Sequence, residues 1–137
     1  MGKSSIQFNA PVLKECIYIE NDFKPKEGAN VSLKLNVENK YAKNDVNRIA
    51  QVILTVTVGE QSINLPFYIK VVYLAHFRWD ESVKDPDNYL SMNAPALLYG
   101  YVRTVVSDII AKSNFPRLDL PFLDFSSMKN NKEEINL

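Results

Sequence analysis

Few side chains in this sequence carry the chemistry of catalysis or metal binding. His76 stands between Ala75 and Phe77, Cys16 between Glu15 and Ile17, and each is the one residue of its type in the 137-residue chain. A general base needs an orienting partner and a reacting group within hydrogen-bond reach. A histidine inside an extended apolar run is more often structural. One His and one Cys do not assemble a His/Cys zinc site within a chain, and a lone Cys makes no intrachain disulfide. Cys16 reads as a small buried hydrophobe of a strand. Asp80, Glu81, Asp85 and Asp87 cluster in a polar stretch, as do Glu133 and Glu134; such acids are ordinarily solvated. No glycine-rich phosphate loop, G-x-S-x-G elbow or G-x-G-x-x-G fingerprint is present. The expectation is a binding protein without metal or cofactor. An enzyme built on Tyr73, His76 and Asp80 is the weakest alternative, and a small-molecule module using a groove between sheet and helix is a stronger one.

Sixteen basic residues balance sixteen acidic ones, which argues against binding nucleic acid by phosphate attraction. No run approaches the roughly 18 apolar residues of a membrane span, and the N-terminus lacks the apolar core of a signal peptide. A cytoplasmic protein with one domain over residues 1–137 is expected.

The elements that would position any site follow from periodicity. Residues 5–20 read as extended, with Val12, Cys16 and Tyr18 on one face and Leu13, Ile17 and Ile19 on the other. Pro11 demands an edge, kink or bulge. Apolar groups on both faces imply cover on both sides, which points to a second subunit. Val31, Leu33, Leu35 and Val37 alternate with polar residues, giving a half-buried strand before a polar turn at residues 39–45. Val52, Leu54, Val56 and Val58 repeat the pattern. A tight connection at residues 59–62 then leads into a strand over residues 63–77 whose apolar row starts at Ile63 and Leu65. Strands first and helices afterwards make an α+β fold: a four-stranded antiparallel meander, a long amphipathic helix, an apolar crossover and a short C-terminal helix in the polar tail.

The helix is marked by pairs four residues apart: Leu97-Leu98, Tyr101-Val102, Val105-Val106 and Ile109-Ile110. Asn93 is its expected N-cap, with Pro95 tolerated in the first turn. It stops before Phe115-Pro116. Beyond it, Phe115, Leu118, Leu120, Phe122, Leu123 and Phe125 crowd into eleven residues, more than a surface loop needs. Either they pin the loop to the core, or some line an exposed apolar groove for extended polypeptide.

Asn93, Leu97-Leu98-Tyr99, Tyr101 and Arg103, followed by Phe115-Pro116, Leu118, Leu120-Pro121 and Phe125, resemble the SecB family, which reads N-x-L-F-P-Y-x-R, a hydrophobic helix, then F-P-x-L-x-L-x-P-x-N-F. SecB is the bacterial export chaperone, with relatives serving toxin–antitoxin systems. Gly100 replaces the family's proline and Asp124 its asparagine. The resemblance implies an ATP-independent holdase for non-native polypeptide. It implies a homotetramer, a dimer of dimers, whose helix interface would include Tyr101, Arg103, Thr104, Ser107 and Asp108. It places client contacts at Val31, Leu33, Leu35, Phe122, Leu123, Phe125 and Met128, and motor-ATPase docking at Glu15 and Glu20. Lys70 near that acidic surface would repel a basic motor tail, and Lys129 and Glu133 stand where members carry apolar groups in the last helix. The resemblance therefore leans towards a dedicated client such as an antitoxin over general preprotein export.

Overall fold

Alternation of apolar and polar residues is realised as one antiparallel sheet with a single buried face. The computed structural model describes residues 5–24 and 31–125, and the backbone of residues 130–136. The strands are β1 (Ile6–Phe8), β2 (Val12–Glu20), β3 (Ser32–Asn44), β4 (Ile49–Gly59), β5 (Phe67–Trp79) and β6 (Asn130–Asn136). Pairing runs from β5 through β4 and β3 to β6, and both β1 and β2 pair with the other edge of β5.

This order corrects the expected meander. Consecutive hairpins join β3, β4 and β5, but β2 lies beside β5 and not beside β3, a Greek-key arrangement. A tight turn between β2 and β3 would have forced them together; residues 21–31 separate them instead. Near Pro11 the first extended run breaks into β1 and β2, as a residue with no N–H to donate predicts. A bulge between Leu13 and Glu15 then reverses the expected faces. Val12 pairs with Leu74 and Leu13 with Tyr73, so Leu13 joins Cys16 and Tyr18, while Val12 joins Ile17 and Ile19.

Two strand limits also move. β3 continues to Asn44, through residues expected to turn. β5 begins at Phe67, leaving Ile63 exposed in the connection. Because β5 is paired on both edges, Pro66 is excluded from its ladder; its carbonyl accepts the Asn21 N–H at 2.9 Å instead. Gly59 is fixed by geometry. Its φ is +73°, and a Cβ there would lie 2.3 Å from the Phe67 carbonyl oxygen.

The buried face comprises Leu33, Leu35 and Val37 of β3, the even positions 50–58 of β4 and the odd positions 67–79 of β5. Helix α2 (Ala94–Ala111) packs on β5 and β4. Of each apolar pair in the helix, the second member is buried: Leu98, Val102, Val106 and Ile110. Leu97, Val105 and Ile109 are half-buried flanks, and Tyr101 is 41% exposed. Asn93 is not a cap. Helical structure starts earlier, at α1 (Pro86–Asn88), where the Asp85 carboxylate accepts the Asn88 N–H at 3.2 Å. A π-helical turn (Tyr89–Asn93) then leads into α2. Pro95 lacks an N–H for the next turn back, and the turn is widened there, with the Ala94 N–H reaching the Tyr89 carbonyl. The side chain of Asn39 in β3 donates to the Leu90 carbonyl at 3.2 Å, tying this turn to the sheet.

Among the described residues the expected C-terminal helix is not seen; residues 130–136 form β6 along the free edge of β3 instead. Among the described residues no helix is long and apolar enough to cross a membrane.

Asp87 anchors the start of the helical segment to β3. Its carboxylate accepts from Lys43 Nζ at 2.7 Å and from Tyr41 Oη at 2.9 Å. These two bonds hold its pKa below the usual carboxylate value. A carboxylate depressed on folding stabilises fully above its unfolded pKa, about 3.9, and that stabilisation is lost as pH falls through the lower folded value. Thermal unfolding should therefore show Asp87→Asn less stable than wild type at neutral pH, with the gap closing below about pH 4. A gap constant with pH would count against this anchor.

Candidate functional site

At the C-terminal end of α2 the chain reverses. The Lys112 N–H bonds the carbonyls of Ile109 and Ile110, and Ser113 Oγ donates to the Ile110 carbonyl at 2.7 Å and accepts from the Phe115 N–H at 3.1 Å. Residues 115–125 then run back along α2 in neither helix nor strand ladder. Leu118, Leu120 and Phe125 are buried, Phe115 and Leu123 are half-buried, and Phe122 is 85% exposed.

Carbonyls of a segment outside helix and ladder need other donors, and two residues of α2 supply them. Tyr99 Oη donates to the Pro121 carbonyl at 2.7 Å, and Arg103 Nε donates to the Leu120 carbonyl at 3.1 Å. The two are one helical turn apart and so share a face. The Arg103 guanidinium also lies 4.0 Å from the centre of the Phe122 ring, a cation–π contact that holds an exposed aromatic in place. The Tyr99 and Phe125 rings meet edge-on at 5.9 Å, and Phe115 packs on Phe67 at 5.2 Å.

Of the client residues implied by resemblance, Phe122 is open to solvent, and Leu123 and Val31 are half-buried. Leu33, Leu35 and Phe125 belong to the core and are closed to any partner in this conformation. Met128 lies outside the described residues. The helix residues separate in role. Arg103 holds the crossover. Tyr101 lies 5.7 Å from Tyr73, Thr104 donates back to the Gly100 carbonyl, and Asp108 pairs with Lys112 at 3.1 Å. Arg103, Thr104, Ser107 and Asp108 line an open groove of about 580 Å3 between α2 and the crossover, with Gly100 and Leu120.

The two acids expected to dock a motor ATPase do not form one patch. Glu15 is in register with Val72 on the outer face of the sheet, where Lys70 pairs with it at 3.3 Å. Glu20 is in register with Phe67, on the opposite face. The alternative centre of Tyr73, His76 and Asp80 is not assembled either. Tyr73 and His76 point to opposite faces of β5, and Asp80, beyond the strand end, is engaged by Ser82. Cys16 is exposed, against expectation, because α2 does not extend over β2. A second open concavity, about 650 Å3, lies at the sheet end near Gln7, Gln51, His76 and Arg78. Among the described residues no cluster of His, Cys, Asp and Glu could hold a metal.

Sequence reasoning missed Tyr99 and Arg103 as holders of the crossover. The available signal was two long polar-tipped side chains four apart, flanking the apolar stripe. Tyr99→Phe should lose about 1 kcal/mol, the usual net worth of one hydrogen bond. It should also raise the proteolytic sensitivity of residues 115–125. Unchanged cleavage there would show that apolar packing alone holds the segment.

Comparison with known proteins agrees with this architecture. The family model described as preprotein translocase subunit SecB matches residues 8–135. The uncharacterized protein MJ0357 of Methanocaldococcus jannaschii is 28% identical over 97% of this chain and 88% of its own length. The protein-export protein SecB of Alcanivorax borkumensis is 29% identical over 78% of this chain and 67% of its own. A Mycobacterium tuberculosis SecB-like chaperone, solved in complex with a ChAD peptide from the HigA1 antitoxin, has the same fold. It superposes with a TM-score of 0.68 at 17% identity, covering 88% of this chain and 91% of the other. With a family match across nearly its whole length and the sheet, helix and crossover in place, the chain belongs to the SecB family, a family of chaperones and not of enzymes.

Proposed function

We propose that this protein is an ATP-independent holdase that binds non-native polypeptide in the cytoplasm, as a homotetramer built as a dimer of dimers, with a dedicated client such as an antitoxin. The observation that carries the reading is Phe122, a large aromatic 85% exposed and held under Arg103 on a segment packed to the core. Burying such a ring is worth about 1.5–3 kcal/mol, available to any client with an apolar side chain to place there. Such a contact reads little sequence, as a holdase requires.

A dedicated client is favoured over general preprotein export by the Lys70–Glu15 pair and by the split of Glu15 and Glu20 between faces. A basic motor tail would meet a neutralised acid beside a lysine. The SecB-like neighbour bound to an antitoxin peptide supports the same choice. Assembly is supported by exposed apolar groups on both faces of β2, Val12 at 52% and Leu13 at 43%.

Dilution of a denatured client, followed by light scattering without ATP, tests the holdase reading. The chain should suppress aggregation. Phe122→Asp should keep its fold and raise the concentration needed for half-suppression about tenfold, the equivalent of about 1.4 kcal/mol. No suppression by the wild-type chain, for generic clients and for an antitoxin alike, would refute the reading.

A further inference from the structure

β3 carries the core on one face and is held by β4 along one edge; β6 runs antiparallel along its other edge. The register sets Asn136 opposite Ser32, Ile135 opposite Leu33, Glu134 opposite Lys34, Glu133 opposite Leu35, Asn131 opposite Val37 and Asn130 opposite Glu38. We propose that β6 is a displaceable occupant, and that residues 32–38 of β3 form the docking edge for the backbone of an extended client, which binds by replacing β6. The inference rests on the holdase reading above.

An extended polypeptide already sits on this edge, so its geometry accepts one. The sequence of the occupant is poorly matched to the place. Asn, Lys and Glu, which fill six of the seven positions of β6, are depleted in strands. Glu133 and Asn131 stand opposite Leu35 and Val37, two buried residues of the core side. At those register positions a non-native segment would offer apolar residues. Ile135 opposite Leu33 is the one apolar match. What β6 mainly contributes is a backbone ladder, and any extended chain reproduces a ladder, while its alternate side chains set preference. β3 itself stays in place, because its other edge pairs with β4 from Leu35 to Asn44. A tethered, weakly matched strand also protects a bare edge from pairing with the wrong chain. It acts as a competitor in cis: a tail seated about nine-tenths of the time weakens the apparent affinity of a client about tenfold.

The full chain tests this directly, with fluorescein-labelled, reduced and carboxymethylated lactalbumin as a permanently unfolded probe. Hydrogen–deuterium exchange should show residues 130–136 losing protection as the probe saturates, while residues 32–38 stay protected. Anisotropy titrations of two full-length variants should move in opposite directions. Glu133→Pro with Glu134→Pro removes two successive N–H groups, one of which faces β3 in any ladder, and should tighten probe binding about three- to tenfold. Asn131→Val with Glu133→Val should seat the tail more firmly and weaken binding. A tail that stays protected under saturating probe, or variants that shift affinity in the same direction, would overturn the exchange while leaving the holdase reading intact. Absence of probe binding by every variant, together with no suppression of aggregation, would remove both.

Discussion

One helix has to cover a sheet that is wider than it is. A helix with its side chains is about 10 Å across, and strands lie about 4.8 Å apart, so a sheet five strands wide spans about twice the width of α2. The helix takes the middle, over β5 and β4. Leu33, Leu35 and Val37 of β3 are nevertheless buried, with Leu118, Leu120 and Phe125 of the crossover in the same core. β2 receives less: Tyr18 packs against the core, but Leu13 is 43% exposed and Cys16 is exposed on the same face. The crossover, the capped tail edge and the unfinished β2 edge are three responses to this shortage of cover.

The crossover response has a functional side. Had the segment been held by apolar contacts alone, every large side chain in it would be spent on the core. Tyr99 and Arg103 take over part of the holding through carbonyl bonds, which leaves Phe122 facing outward without loosening the backbone. An exposed aromatic on a fixed platform is what a surface needs to grip sequences of many kinds. On the outer face of the sheet Lys70 pairs with Glu15, and under the proposed function a basic partner would meet a neutralised acid there.

Much of the fold was legible because periodicity reports burial. The alternations at residues 31–37, 52–58 and 63–77 each led to a strand, the last starting only at Phe67, and the pairs at residues 97–110 became a helix with one member of each pair buried. What periodicity does not report is which strand lies beside which. The return of β2 to β5 depends on long-range pairing, and the bulge after Leu13 swaps faces by one residue with no mark in the residue types. The tail misled because a polar segment such as residues 130–136 has weak preference of its own; the open edge of β3 decides its conformation. Among the candidate site residues, alternation identified Leu33 and Leu35 as inward-facing, but it does not distinguish a groove that opens from a core that is closed. The resemblance places Arg103 at an interface; its bond to the Leu120 carbonyl, seventeen residues along the chain, is not something helix periodicity reports.

If cover is the limiting quantity, the chain is incomplete by itself, and a second copy should close the β2 edge. Multi-angle light scattering on size-separated protein, over a hundredfold range of concentration, measures this most directly. The expected mass is a multiple of the 15.7 kDa protomer, with Ile17→Lys and Leu13→Lys shifting it downward. A well-folded species that remains at 15.7 kDa throughout would contradict it.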